Sequence, residues 1–410
     1  MVSVHFRSLC CPVLLVRMNQ GRSLFAQILE YLPHYELAKC VARYDGNRRV
    51  RSFSCHDQLL CMAFAQMTFR DSLRDTVCCL RASGTTLYHM GIRGRVSRST
   101  LADANERRDW RIWADLAQAL IADARLLYAD HPVGVRLRRA VYALDSTTIE
   151  LCLSLFPWAA YKKRQRAIKL HTLLDLRGNI PVFLRISTGK GSDLQGLDQL
   201  LDALLIEGGA CYVLDRGYLE FARLYRFTRA GAFFITRARK DFRFRRIASR
   251  PANKAAGIIC DQTVALVWYY TRRDYPAPLR RVRFTDPQTG RRLVFLTNNF
   301  TLAAGTIARL YRQRWQVELF FKWIKQYLRI KSFYGTSANA VRTQVWIGVI
   351  VYVLLAIVKK REGLDITLSQ MLTILSVRAC DKLPVNQVFS LSTPDLREHQ
   401  IHKQLQLFDI

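Results

Sequence analysis

Glu318 is the only carboxylate between Asp286 and Glu362, a stretch dominated by Lys and Arg. It lies in Tyr311-Arg-Gln-Arg314-Trp-Gln-Val-Glu318-Leu-Phe-Phe-Lys322-Trp-Ile-Lys325. Read as a helix, Tyr311, Arg314, Glu318, Lys322 and Lys325 share one face. Two further acids stand out. Asp145 ends the apolar run Val-Tyr-Ala-Leu144, and Asp215 ends Cys-Tyr-Val-Leu214. A strand that closes on an acid delivers it to the carboxyl edge of a sheet, where sites on open α/β sheets gather. Three carboxylates meeting there repel unless hard cations with oxygen ligands lie among them. Two such ions about 3.5–4 Å apart would clamp the attacking and leaving oxygens of an in-line phosphoryl transfer.

Each acid taken alone has a plainer reading. Aspartate commonly caps the turn after a strand, and Arg314–Glu318 is an i,i+4 pair worth ~0.2–0.5 kcal/mol on a solvated helix. The pair does not explain why a helix so rich in cations keeps one acid. Leu310, Val317, Phe321, Ile324 and Leu328 form an apolar stripe on the opposite side, fit to pack on a sheet. The charged face is then free for a polyanion.

The elements that must carry these residues follow from periodicity. Ser23–Leu32, His56–Phe69 and Asp109–Tyr128 have helical spacing, and Ser97 opens another helix as an N-cap. That region fits a helix-turn-helix-like DNA-binding unit or a plain helical bundle. After Pro132 short apolar runs appear at 140–144, 168–176, 180–186, 210–214 and 231–236, with helix-like stretches at 194–205 and 219–229. The succession predicts an α/β fold, a mixed sheet flanked by helices. Residues 237–292 hold 15 Lys/Arg and four Asp, with strand-like runs at 264–270 and 281–284. They read as a basic all-β insertion, after which Leu293–Leu296 returns to the core.

The chain has 410 residues, is 50% hydrophobic and carries 63 basic against 32 acidic residues, a net charge of +31. A field of one sign and that size calls for a polyanionic partner. Eleven cysteines include no C-x-x-C pair, so they read as reduced, cytoplasmic core thiols. The apolar run Val345–Val358 is shorter than the ~20 residues of a membrane span, so it reads as a buried helix, and no membrane partner is expected. Residues 1–17 read as an extension upstream of the true start at Met18.

The motifs resemble those of bacterial DDE transposases of the insertion-sequence-four group. That group carries Tyr, two residues, Arg, three residues, Glu, six residues, Lys; here these are Tyr311, Arg314, Glu318 and Lys325. The contexts D-S-T-T at Asp145 and L-D-R-G-Y at Asp215 match as well. So do Lys169-Leu-His-Thr-Leu-Leu-Asp-Leu-Arg-Gly-Asn179 and Phe295-Leu-Thr-Asn-Asn299. The resemblance implies a ribonuclease-H-like core at 136–236 and 293–360, a helical DNA-binding domain at 18–135, the basic insertion at 237–292 and a helical C-terminal region at 361–410. It implies Asp145, Asp215 and Glu318 as ligands of two Mg2+ ions, with Mn2+ able to substitute. Tyr311, Arg314 and Lys325 would contact transposon-end phosphates, and Lys322 joins them on the shared face. It implies cleavage of double-stranded DNA at terminal inverted repeats and strand transfer, cut-and-paste through a hairpin, by a homodimer acting on the nucleoid. The alternatives are a nuclease of the same core without strand transfer, and an inactivated or domesticated DNA-binding copy. Two departures stand out. The Trp that opens the strand before the glutamate helix in relatives is matched here by Leu293, which leaves Trp268, Tyr269 and Phe295 as alternatives and no stacking residue assigned. The group's Asp-Gly-x-x-His-Asp turn is replaced by Thr188-Gly-Lys-Gly-Ser-Asp193.

Overall fold

The structure, a computed structural model, describes residues 21–134, 139–152, 154–162, 165–190, 197–198, 201–202, 206–239, 241–327 and 333–390. The expected extension at 1–17, most of the expected 194–205 helix, Asp193 and Leu328 lie outside the described residues.

The N-terminal region is helical, as its periodicity predicts: Leu24–Leu29, His34–Arg43, Cys55–Met67, Leu73–Ala82, Thr86–His89, Arg98–Arg107 and Arg111–Leu127. Ser23, Ser54, Ser72 and Ser97 cap four of these through their hydroxyls, and Ser54 forms a reciprocal capping box with Asp57. Such caps contribute about 0.5–2 kcal/mol each. These helices pack around the long helix Ala338–Arg361 and share its apolar core. That helix is long and apolar enough to cross a membrane, yet 94% of its most apolar window is buried inside the protein. It is apolar on every side because protein covers every side. Gly178 sits where Tyr128 crosses this core: its φ of +80° and the Tyr128 ring both exclude a Cβ. The Tyr128 hydroxyl in turn donates to the Ala356 carbonyl.

Among the described residues ten strands form one sheet: β1 (Val141–Leu151), β2 (Ala160–Lys162), β3 (Gln165–Asp175), β4 (Ile180–Thr188), β5 (Cys211–Leu214), β6 (Phe233–Arg237), β7 (Phe244–Arg250), β8 (Ile258–Leu266), β9 (Leu279–Thr285) and β10 (Arg292–Thr297). Their order is β2-β3-β1-β5-β6-β10-β9-β8-β7, with β4 also paired to β3. The antiparallel meander β1, β3, β4 followed by β5 and β6 parallel to β1 is a ribonuclease-H-like arrangement. The expected mixed sheet flanked by helices is therefore present.

Side-chain alternation sets the two faces. Val141 and Ala143 of β1, and Cys211 and Val213 of β5, belong to the core under the helices Trp315–Tyr327 and Ala338–Arg361. Tyr142, Leu144, Tyr212 and Leu214 face the other way, onto the helix Phe221–Arg229. Asp145 and Asp215 continue the first parity, so both fall on the face that carries Glu318.

The insertion departs from its expected form in two ways. Its strands β7, β8 and β9 extend the main sheet beyond β10. It is also not all-β: the expected strand to Tyr270 stops at Leu266, and Tyr269–Asp274 is a short helix. The chain turns there because Tyr275 is buried against Tyr225 and Phe234, with its hydroxyl bonded to Thr228. A straight strand would carry Tyr275 away from that pocket. The insertion is tied in by a buried ion pair, Arg280 to Asp261 at 2.8 and 2.6 Å, with the same guanidinium donating to the Asn299 and Leu302 carbonyls.

Candidate active site

The helix expected through Tyr311 and Lys325 is interrupted. Ala304–Gln313 and Trp315–Tyr327 meet at Arg314, where the bonds tighten to i→i−3: Arg314 N–H to the Tyr311 carbonyl and Val317 N–H to the Arg314 carbonyl. The loop before the first helix explains the T-N-N signature. Asn298 bonds the Phe234 N–H and the Ala232 carbonyl, while Asn299 accepts from Thr301 and Leu302. The buried Phe295 ring then packs on Tyr311 at 5.0 Å. The strand end, the loop and the ring together fix where Tyr311 and Arg314 stand.

Arg314 is the centre of the site. Its Nη1 donates to Asp145 Oδ2 at 2.7 Å and its Nη2 to Glu318 Oε1 at 2.5 Å. All three side chains are largely covered, at 15, 19 and 31% exposure. The Tyr311 hydroxyl donates to Asp215 Oδ1 at 3.3 Å. Thus Arg314 joins Asp145 to Glu318, and Tyr311 holds Asp215 beside them. The i,i+4 pair seen in the sequence exists, but it is half of a three-residue bridge across 169 positions of chain.

Asp145 does not end its strand: β1 runs on to Leu151, paired with β3 throughout. The neighbouring β5 stops at Leu214, so Asp145 lies level with a sheet edge while its own strand continues. Asp215 does fulfil the turn-capping reading, accepting from the Gly217 N–H at 3.5 Å over a single 3-10 turn. Capping leaves its other oxygen to Tyr311.

The electrostatics agree with three acids in close quarters. Burial pushes the Asp145 carboxyl up to about 6; Arg314 and the Ser146 N–H pull it back, while Asp215 and Glu318 add to it. Burial also pushes the Tyr311 phenol up to about 12, so it is a neutral donor at physiological pH. Burial works against the Arg314 charge, but the Tyr311 hydroxyl and the three acids outweigh it and its pKa is raised.

Among the described residues no three His, Cys, Asp or Glu side chains form a ready metal cage. The donor chemistry nevertheless fits a hard divalent ion. Carboxylates from β1 and from the helix converge on one cationic group, the guanidinium.

Lys322 lies one turn beyond Glu318 and is exposed; Lys325 is partly buried. Val317, Phe321 and Ile324 are buried as expected, and so are Phe320 and Trp323, which pack on Tyr352. Sequence reasoning missed Arg237, the last residue of β6, whose charge acts on Tyr311. Its signal was a cation directly after a buried strand, F-F-I-T-R. It also missed Thr172, paired with Asp145 across β1 and β3 and fully buried.

Phe295 is buried. Trp268 and Tyr269 are exposed, but they follow the end of β8, and the register β5–β6–β10–β9–β8 carries that end to the edge opposite Asp215.

A family profile described as "Transposase DDE domain" matches residues 136–354, which spans β1 to β10 and all three acids. The chain belongs to the DDE transposase family. This transposase is 35% identical over 263 residues to "Putative transposase y4zB" of Sinorhizobium fredii, covering 63% of this chain and 70% of that protein. It is 31% identical over 224 residues to "Probable transposase for insertion sequence element IS5377" of Geobacillus stearothermophilus, covering 54% and 57%. A second profile, a domain of unknown function (DUF4372), matches residues 20–93 of the transposase. Among solved structures, a piggyBac transposase synaptic complex with hairpin DNA aligns over 93% of this chain and 82% of that one, at 10% identity and a TM-score of 0.44.

Proposed function

We propose that this transposase binds the terminal inverted repeats of an insertion sequence, cleaves the DNA there and joins the ends to target DNA. The observation that carries the proposal is the convergence of Asp145 and Glu318 on one cationic group, with Asp215 held beside them by Tyr311. In this reading Asp145, Asp215 and Glu318 hold two Mg2+ ions, or Mn2+ in their place. Bound there, the ions would activate water or a 3′-hydroxyl and stabilise the leaving oxygen. The chain's own groups do the rest. Arg314, Lys322 and Lys325 bind backbone phosphates, and Tyr311, neutral at physiological pH, positions Asp215 by its hydrogen bond.

The +31 charge supports DNA as the partner. The helical region at 18–135 is proposed as the end-binding part, and a homodimer as the assembly that pairs two ends on the nucleoid. A hairpin intermediate is what the resemblance implies.

Asp145→Ala is expected to retain binding to duplexes carrying the element's ends and to lose nicking. Nicking at the wild-type rate would refute the assignment. Gel detection of joined products separates a transposase from a nuclease of the same core, and binding with no cleavage by the wild type would mark an inactive copy.

A further inference from the structure

The contact that holds the site together also occupies it. One oxygen of Asp145 and one of Glu318 are taken by Arg314, at 2.7 and 2.5 Å. The guanidinium thus lies where a cation bridging those two acids would lie. A divalent ion placed between the two acids competes with the guanidinium for the same pair of oxygens. Their positive charges would also repel strongly in a site this covered.

We infer that Arg314 is a positioning residue that couples metal loading to DNA: it leaves Asp145 and Glu318 when a DNA phosphate takes its guanidinium, and metal then binds the acids it releases. This rests on the proposed function, in which those acids bind divalent ions and this face meets DNA. Three features make the exchange feasible. Arg314 makes two charge-assisted bonds, and a phosphate offers a bidentate replacement for both. Its Nε has no hydrogen-bond partner among the described residues. Its backbone sits at the break between the helices Ala304–Gln313 and Trp315–Tyr327, not within a continuous helix.

The guanidinium carbon lies 5.9 Å from the Tyr311 ring centroid, within cation–π reach. The exchange is balanced in charge: the acids trade one cation for another, and the guanidinium trades carboxylates for phosphate. By linkage, DNA then tightens metal binding by the same factor as metal tightens DNA binding.

The test is Mn2+ binding to the full chain, followed by the loss of the free-ion electron paramagnetic resonance signal. It is run with and without the terminal duplex that flanks the gene. For the wild type the duplex should tighten Mn2+ by roughly 5- to 150-fold, the usual span of coupling. Arg314→Gln should bind Mn2+ more tightly than the wild type without DNA, and the duplex should then change its affinity little. Arg314→Lys, which keeps the charge without the fork, should fall between.

A wild-type affinity indifferent to the duplex overturns the coupling, as does a duplex effect that persists undiminished in Arg314→Gln. Weaker Mn2+ binding by Arg314→Gln, with an unchanged circular dichroism melt, also overturns it. The underlying reading fails separately: Asp145→Asn with Glu318→Gln would bind Mn2+ as the wild type does, or the wild type would bind none even with the duplex.

Discussion

Replacing Arg280 by Met tests whether the insertion is welded to the catalytic sheet. Arg280 and Asp261 are 3 and 5% exposed and bonded through two nitrogens at 2.8 and 2.6 Å. Removing the guanidinium leaves a carboxylate buried with no matching charge, a loss of about 3–5 kcal/mol. It also takes donors from the Asn299 and Leu302 carbonyls, in the loop that leads into the Tyr311 helix. Each lost bond adds about 1 kcal/mol where the carbonyl finds no substitute. We therefore expect Arg280→Met to destabilise by about 5 kcal/mol in urea unfolding followed by both fluorescence and circular dichroism. Asp261→Leu combined with Arg280→Met should recover much of that, because an apolar pair carries no buried charge. A loss below about 1 kcal/mol for Arg280→Met, or a double variant as unstable as the sum of the singles, would refute the reasoning, since the pair would then be hydrated or unimportant.

Three further outcomes follow from the same structure. Lys322 is exposed one turn beyond Glu318; Lys322→Ala should reduce the slope of log binding constant against log salt by about 1 if it meets a phosphate, and an unchanged slope removes it from the interface. His56 and His131 are both lowered from 6.5, mainly by burial, with His34 adding at His56 and Lys360 and Lys359 at His131. The unfolded chain then binds more protons, so their contribution to stability falls as pH drops below about 6.5, while Asp145, raised to about 6, works in the opposite sense. His56→Gln should flatten the urea-midpoint slope between pH 7 and 5, and an unaltered slope would sink this account. Cys152 is exposed and lowered by hydrogen bonds from Ser154, whereas burial pushes Cys61 and Cys211 up to about 12. Thiol labelling of the folded chain should modify Cys152 quickly and Cys61 and Cys211 only on unfolding.

The local chemistry was legible in the one-dimensional chain. Helical spacing of apolar residues announced the N-terminal helices, short apolar runs ending in an acid announced β1 and β5, and the lone Glu318 among cations announced the site. These signals need only neighbours a few residues away. The β1–β5 register, which pairs Val141 with Cys211 and Ala143 with Val213, is what puts Asp145 and Asp215 on one face; the sequence alone could not show that register. It also could not say which helix would cover that face. Nor could it reveal that the helix breaks at Arg314, where the backbone bonds tighten to i→i−3. The pattern at 264–270 read as strand because a short apolar run has no period of its own, and the burial of Tyr275 on another helix turned it instead. The residue types and their order were sufficient for the family and for the candidate acids. Only the tertiary structure decided that Arg314 reaches both Asp145 and Glu318, because that bond spans distant chain segments that the sheet register and the helix packing bring together.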